Sequence, residues 1–310
     1  MNSGLMPQVS LPWVFDPVLI GSLVTAAVLY LLLAGPLRSR LTRTERVKPW
    51  QALLFMSALI VTFLADGSPL TVPEYADSTD IEPVPPEVGV QHTVISYIVA
   101  PLILWGTPGW MVRPFVTNKV VEPIFRTLTR PLVAFLVFSL GFSLWHLPFI
   151  YEAALTNDFV HHVQHVIFLV LSLIVWWPLM SSLPELPPLG YGMSIIYLVG
   201  LPIGQFFAGA LVTFSQVSIY PTYAAAPRIT DLGVVEDQVL GGVIMKIASF
   251  VVFGIPLIFT FLRWANSESP SRARGRVAIS KEVTTGPVPQ PKPAGTAMEP
   301  ATPAETSGHD

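Results

Sequence analysis

Seven stretches of this sequence run for roughly 20 residues with at most two charged side chains each, and nothing else constrains its fold so tightly. They lie near 14–34, 50–66, 91–110, 131–152, 159–180, 192–214 and 238–264. A helix advances about 1.5 Å per residue, so about 20 apolar residues carry it across the hydrocarbon of a bilayer. Backbone N–H and C=O groups find no water there, and a helix satisfies them within its own segment. The expectation is an all-α fold, a polytopic membrane bundle of seven transmembrane helices. Of the 310 residues 52% are hydrophobic and 12% charged, about half the charge of a soluble chain. The first thirteen residues lack a basic n-region, so the first stretch reads as a span and not as a cleaved signal.

The charges between the stretches set a direction. Arg38, Arg40, Arg43, Arg46 and Lys48 follow the first; Arg113, Lys119, Arg126 and Arg130 follow the third; Arg263, Arg272, Arg274 and Arg276 follow the last. The alternate connections reverse this: "DGSPLTVPEYADSTDIEPVPPEVG" holds six acids and no base. Cationic loops stay cytoplasmic, which places the N-terminus outside and the C-terminus inside. Residues 1–265 then form the membrane domain. Residues 266–310, rich in Pro, Ala, Thr and Ser, read as a disordered cytoplasmic tail. A net charge of −3 offers nothing to nucleic acid, and the lipid bilayer is the first partner. With no cysteine, disulfides, thiolate metal sites and iron–sulfur clusters are excluded.

Within that frame the histidines collect. His92 opens the third span, His146 comes near the end of the fourth, and "VHHVQH" puts His161, His162 and His165 in the first two turns of the fifth. With alternating directions, three helices bring all five to one level near the outer surface. His161 and His165 are four apart and share a helix face, while His162 points about 100° away. HxxxH on one face is a metal-binding arrangement. Imidazole nitrogens without thiols suit copper, zinc or a haem iron. Plainer readings stand beside these. His162 is an interfacial or packing residue, His92 is at even odds an interfacial polar group, and His309 belongs to the tail.

The last span brings further candidates. Asp237 and Gln238 stand at its start, where an acid suits the helix dipole or orients a ligand histidine. Met245 lies about 12 Å deeper, where a thioether packs a core or binds Cu(I). Lys246, well inside the span, suggests a retinal Schiff base, but the third span offers no acidic counter-ion, and that reading is set aside.

Taken in order, "SPL", "QH", "PLILWGTPGW", "WHLPFIYEAAL", "VHHVQH", "WWPLM", "YPTY" and "EDQVLGGVIMKI" make the chain resemble the multi-span CtaG-type cytochrome c oxidase assembly proteins, not the single-span copper chaperone sharing that name. The likeness covers roughly residues 50–265. It implies a non-enzymatic, multi-pass protein of the bacterial plasma membrane that handles copper for a haem–copper oxidase, with cytochrome c oxidase subunits as partners. The family's outer histidines fall on His92, His146, His161 and His165, its methionine on Met245, and its aspartate–glutamine pair on Asp237 and Gln238. Two positions depart: Val88 stands where the family has a histidine, and Lys246 where a tryptophan often follows the methionine. A competing expectation is a haem-b electron carrier with His92 or His146 facing His165 as axial ligands. The oligomeric state is left open by the sequence.

Overall fold

The structure is a computed structural model that describes residues 13, 15–42, 45–67, 88–225 and 232–285. Among them all regular structure is helical, as the apolar stretches require. The helices are α1 (Pro17–Ala34), α2 (Pro49–Gly67), α3 (88–106), α4 (Gly109–Val116), α5 (Val121–Leu128) and α6 (Pro131–Trp145). They continue as α7 (Pro148–Thr156), α8 (Asp158–Met180), α9 (Tyr191–Gly204), α10 (Phe206–Phe214) and α11 (Val234–Thr285). Local chemistry sets their starts. Asp16 accepts the Val18 amide at 2.7 Å, with Pro17 in the first helical turn. Asn157 caps α8 through the Val160 amide at 3.1 Å, with Asp158 in its first turn.

The core is organised around one face of α8. Phe168, Leu171, Ser172, Val175 and Trp176 are buried and recur every three or four residues, the spacing of a single helical stripe. Against it pack Tyr97 of α3, Phe138 and Phe142 of α6, Leu198 and Leu201 of α9 and Phe253 of α11. The opposite faces present Val166, Val170, Leu140 and Ile196 outward. So much exposed apolar side chain fits a hydrocarbon surrounding. At the contact between α2 and α3, Gly106 lies against the Phe55 backbone. A Cβ there would stand 2.6 Å from the Phe55 nitrogen.

Among the described residues five helical segments are long and apolar enough to cross a membrane, α9 with α10 counted as one, and up to seven if each of two bent pairs counts as one span. One bend falls in the third expected span and the other just before the fourth, and prolines account for them. In α3 the stretch Ile95–Val99 is a π-helical turn that ends one residue short of Pro101. Proline has no N–H and crowds the carbonyl four residues back, so the wider turn relieves it. The chain turns by 98° between α3 and α4 at Thr107–Pro108, and by 79° between α5 and α6. The expected span 131–152 is not continuous. It stops at Trp145, because Leu147 before Pro148 is extended, and resumes as α7. Alone, α6 is about 22 Å long, short of the roughly 30 Å hydrocarbon.

The sixth expected span is interrupted too, between α9 and α10, and this gives Lys246 a job. Its Nζ donates to the Pro202 carbonyl at 2.9 Å, in the last turn of α9, where carbonyls lose their helical partners. The ammonium also stands 5.3 Å from the Phe206 ring and 5.9 Å from the Phe250 ring. The chain divides into two compact units, Met1–Trp264 and Ala265–Asp310. Of the tail expected from 266 onward, residues up to Thr285 continue the helix α11, and 286–310 lie outside the described residues.

Replacing Gly106 by Val should push α2 from α3 and cost about 1–3 kcal/mol, seen as a lowered thermal midpoint of the detergent-solubilised protein. Lys246→Met leaves a helix-end carbonyl without its donor and should cost about 1–3 kcal/mol by the same measurement. Lys246→Arg should recover part of that loss.

Candidate metal centre

The stripe that builds the core of α8 continues past its apolar end as His161, Gln164 and His165, one and two turns before Phe168. The helical repeat that buries Phe168 therefore turns these polar groups inward as well. His161 is 6% and Gln164 1% exposed. The Nε2 atoms of His161 and His165 lie 3.0 Å apart. That is a hydrogen-bond distance between imidazoles of which one is unprotonated. It is also the spacing of two neighbouring ligands on one ion with bonds of about 2.0–2.1 Å.

Two other helices complete the cluster. His92, on the inward face of α3 one turn before Ser96, is 1% exposed, and its ring centroid is 5.3 Å from that of His165. Its Nε2 is buried without a hydrogen-bond partner. Buried nitrogens of this kind are rare unless something binds them. Gln164 stands beside His92 as its side-chain hydrogen-bonding neighbour, although neither of its buried amide atoms reaches a described partner at full hydrogen-bond geometry. His146 caps the end of α6, with its centroid 6.5 Å from that of His92. Its Nδ1–H donates to the Phe142 carbonyl at 2.7 Å, which leaves Nε2 as the nitrogen with a free lone pair. The break at Leu147–Pro148 is what lets this ring stop at the level of the others. Four of the predicted residues are thus brought together: His92, His146, His161 and His165. Among the described residues no three His, Asp or Glu side chains converge on one point closely enough to hold an ion without side-chain movement.

The remaining predicted residues stand further off. Gln238, buried at the start of α11, accepts the Ile219 amide at 3.0 Å and donates to the carbonyls of Val212 at 3.2 Å and Val217 at 3.4 Å. It pins the segment from which Tyr220 donates to the His146 carbonyl at 3.0 Å. Its link to the histidines runs through that segment. Asp237 is buried in the same first turn, 2% exposed. Met245 lines a crevice with Tyr97, Phe142, Gln205 and Ser249 that holds no histidine. His162 bonds the Asp158 carbonyl through Nδ1 at 2.6 Å and the Asp16 carboxylate through Nε2. Both its nitrogens are committed, and the bond ties α1 to α8. Burial raises the Asp16 carboxyl, but the His162 bond and the Val18 and Leu19 amides outweigh it and hold it below the usual carboxylate range.

Sequence reasoning missed Asp66. Counted as the first residue of the acidic loop, it ends α2 with a side chain only 11% exposed. One carboxylate oxygen lies 3.6 Å from His165 Nδ1, and the other is buried without a partner. A carboxylate behind a histidine raises the basicity of the opposite nitrogen and fixes the ring. The signal was present: Trp50 to Asp66 is about 24 Å of helix, which returns the chain to the histidine end. Gln164, three residues after His161 on the same face, was equally open to inference.

No curated protein and no solved structure matches the chain. The family model described as cytochrome c oxidase caa3 assembly factor (Caa3_CtaG) matches residues 28–267, more than three quarters of the sequence and all four clustered histidines. The chain belongs to that family of cytochrome c oxidase assembly factors.

Proposed function

We propose that this protein binds copper as cargo through His161, His165, His92 and His146 and hands it to a subunit of the oxidase whose assembly its family serves. The observation that carries the reading is the 3.0 Å approach of the two Nε2 atoms beside a His92 nitrogen that is buried and unpartnered. A donor set of imidazoles with a nearby carboxylate suits copper in either oxidation state, and zinc less selectively. Delivery requires release. A pair of nitrogens that can hydrogen-bond each other once the ion has left supports exchange, because the empty pair need not remain unsatisfied. No bond of a substrate is made or broken, so the role is binding and transfer. It places the protein in the bacterial plasma membrane, with the histidine end facing outward as the loop charges predict.

Asp66 joins this machinery as the residue that orients His165, and Gln238 acts on His146 through Tyr220. Met245, grouped with aromatic and amide side chains, fits packing better than a first ligand. The haem-b alternative needs an open slab between two imidazoles that each aim a nitrogen at one iron. The His92 and His165 centroids are only 5.3 Å apart, and Phe168 is packed 4.6 Å from His92. A reduced-minus-oxidised visible spectrum of the purified protein is expected to show no Soret change. A clear Soret shift would overturn the copper assignment in favour of haem.

His161→Ala with His165→Ala should reduce copper bound per protein, by elemental analysis after loading with Cu(I), to under a tenth of that of the parent. Oxidase activity in cells carrying the double variant should fall in parallel, and unchanged copper content would sink the assignment. Asp66→Asn, which keeps the shape and removes the charge, should weaken copper binding by about 10–100-fold, measured by competition with a chromophoric chelator.

A further inference from the structure

Beside the histidine cluster a cavity of about 420 Å³ opens between α1, α2, α3 and α8. This volume falls in the range of small-molecule sites, roughly 300–1,000 Å³. The cavity exists because α1 packs on α2 and stands clear of the remaining core; only 6% of α1 is buried. Its two ends differ in chemistry. At the histidine end it is lined by Asp66 and Gln91 beside His161 and His165, and from there it runs down between Leu19, Leu23 and Ala26 of α1, Phe55 and Leu59 of α2, and Val99 and Ile103 of α3. Eleven residues separate Asp66 from Phe55 on α2, which makes the slot about 16 Å long.

The polar end is unsatisfied in one sense only. Gln91, 5% exposed, has its Oε1 buried with no partner among the described residues, and so has the Asp66 Oδ1. Both are acceptors. A bulk acyl chain filling the slot would bring neither of them a proton. An occupant that suits both ends carries hydroxyl groups on its head and one hydrocarbon chain behind it.

We propose that this slot binds a hydroxylated membrane amphiphile, its head donating to Gln91 and Asp66 and its single chain lying between α1 and α3. An isoprenoid or alkyl quinol and a monoacylglycerol share that chemistry. The site goes beyond copper handling and does not depend on it.

The full chain in lipid nanodiscs, titrated with decyl-benzoquinol and separately with monoolein and followed by native mass spectrometry, tests the proposal. One-to-one, saturable retention of either probe is expected. Preference for the quinol assigns that source, and preference for monoolein assigns the glyceride. Decyl-benzoquinone, which has the same chain and no hydroxyl donor, should bind about tenfold more weakly than the quinol. Ala26→Trp, which fills the apolar half, should abolish retention while copper content stays that of the parent. Gln91→Leu should weaken retention about tenfold, and it keeps the test open if the tryptophan variant does not fold. The proposal is overturned if neither probe saturates, as for bulk lipid over a hydrated polar end. It is equally overturned if retention survives both substitutions in folded protein. Loss of copper from the double histidine variant with retention intact would separate this site from the metal reading.

Discussion

The main core of this bundle is arranged against a single face of α8. Its buried positions run as one stripe from Trp176 through Phe168 to His161, mostly apolar from Trp176 to Phe168 and polar over the last two turns. Because the helical repeat does not change where the chemistry does, any helix that packs on the apolar part is led on to the polar part. α3 and α6 both do so, and each delivers one histidine at the level of His161 and His165. The cluster is therefore a consequence of core packing rather than an addition to it.

A second regularity follows from the lack of water. Where this fold interrupts a helix, a side chain from a neighbouring element bonds a backbone carbonyl. The Trp176 indole donates to Ser96 in the π-helical turn at 3.0 Å, and the Tyr220 hydroxyl to His146 at the end of α6 at 3.0 Å. The Tyr30 hydroxyl donates to Gly106 at 2.9 Å, at the end of α3. Lys246 does the same for Pro202. In hydrocarbon an unpaired carbonyl costs several kcal/mol, so irregular backbone survives only where such a donor reaches it. This places Lys246 among the structural groups and explains how a cation is tolerated where the sequence suggested a functional one.

What could be read from the sequence divides along the same physical line. Hydropathy registers the length of an apolar run and is blind to its continuity. Five to seven helical spans answer to the seven apolar stretches, yet the bends before Pro108 and Pro131, the break at Pro148 and the π-helical turn ahead of Pro101 leave no mark in hydropathy. Helical periodicity registers which residues share a face, so His161 with His165 emerged at once and His162 was set apart. Its bonds to Asp16 and Asp158 bear out that separation. Periodicity cannot say what faces that face. Asp66 and Gln91 come from other helices, and their relevance depends on how α2 and α3 lie against α8. Met245 illustrates the same limit: position along α11 does not fix which neighbours its side chain meets, and these are Tyr97, Phe142, Gln205 and Ser249.

The break at Leu147–Pro148 shows why such limits matter for function. Had α6 continued as an unbroken span to 152, His146 would occupy a helix interior and its backbone N–H would be spent on the ladder four residues back. Instead the helix ends at Trp145, the ring bonds back to Phe142, and the His146 carbonyl is left for Tyr220. One proline thus fixes the tautomer of a candidate ligand, sets its height and gives it a tether to the segment held by Gln238. A change anywhere along that tether can reach the histidines without touching them.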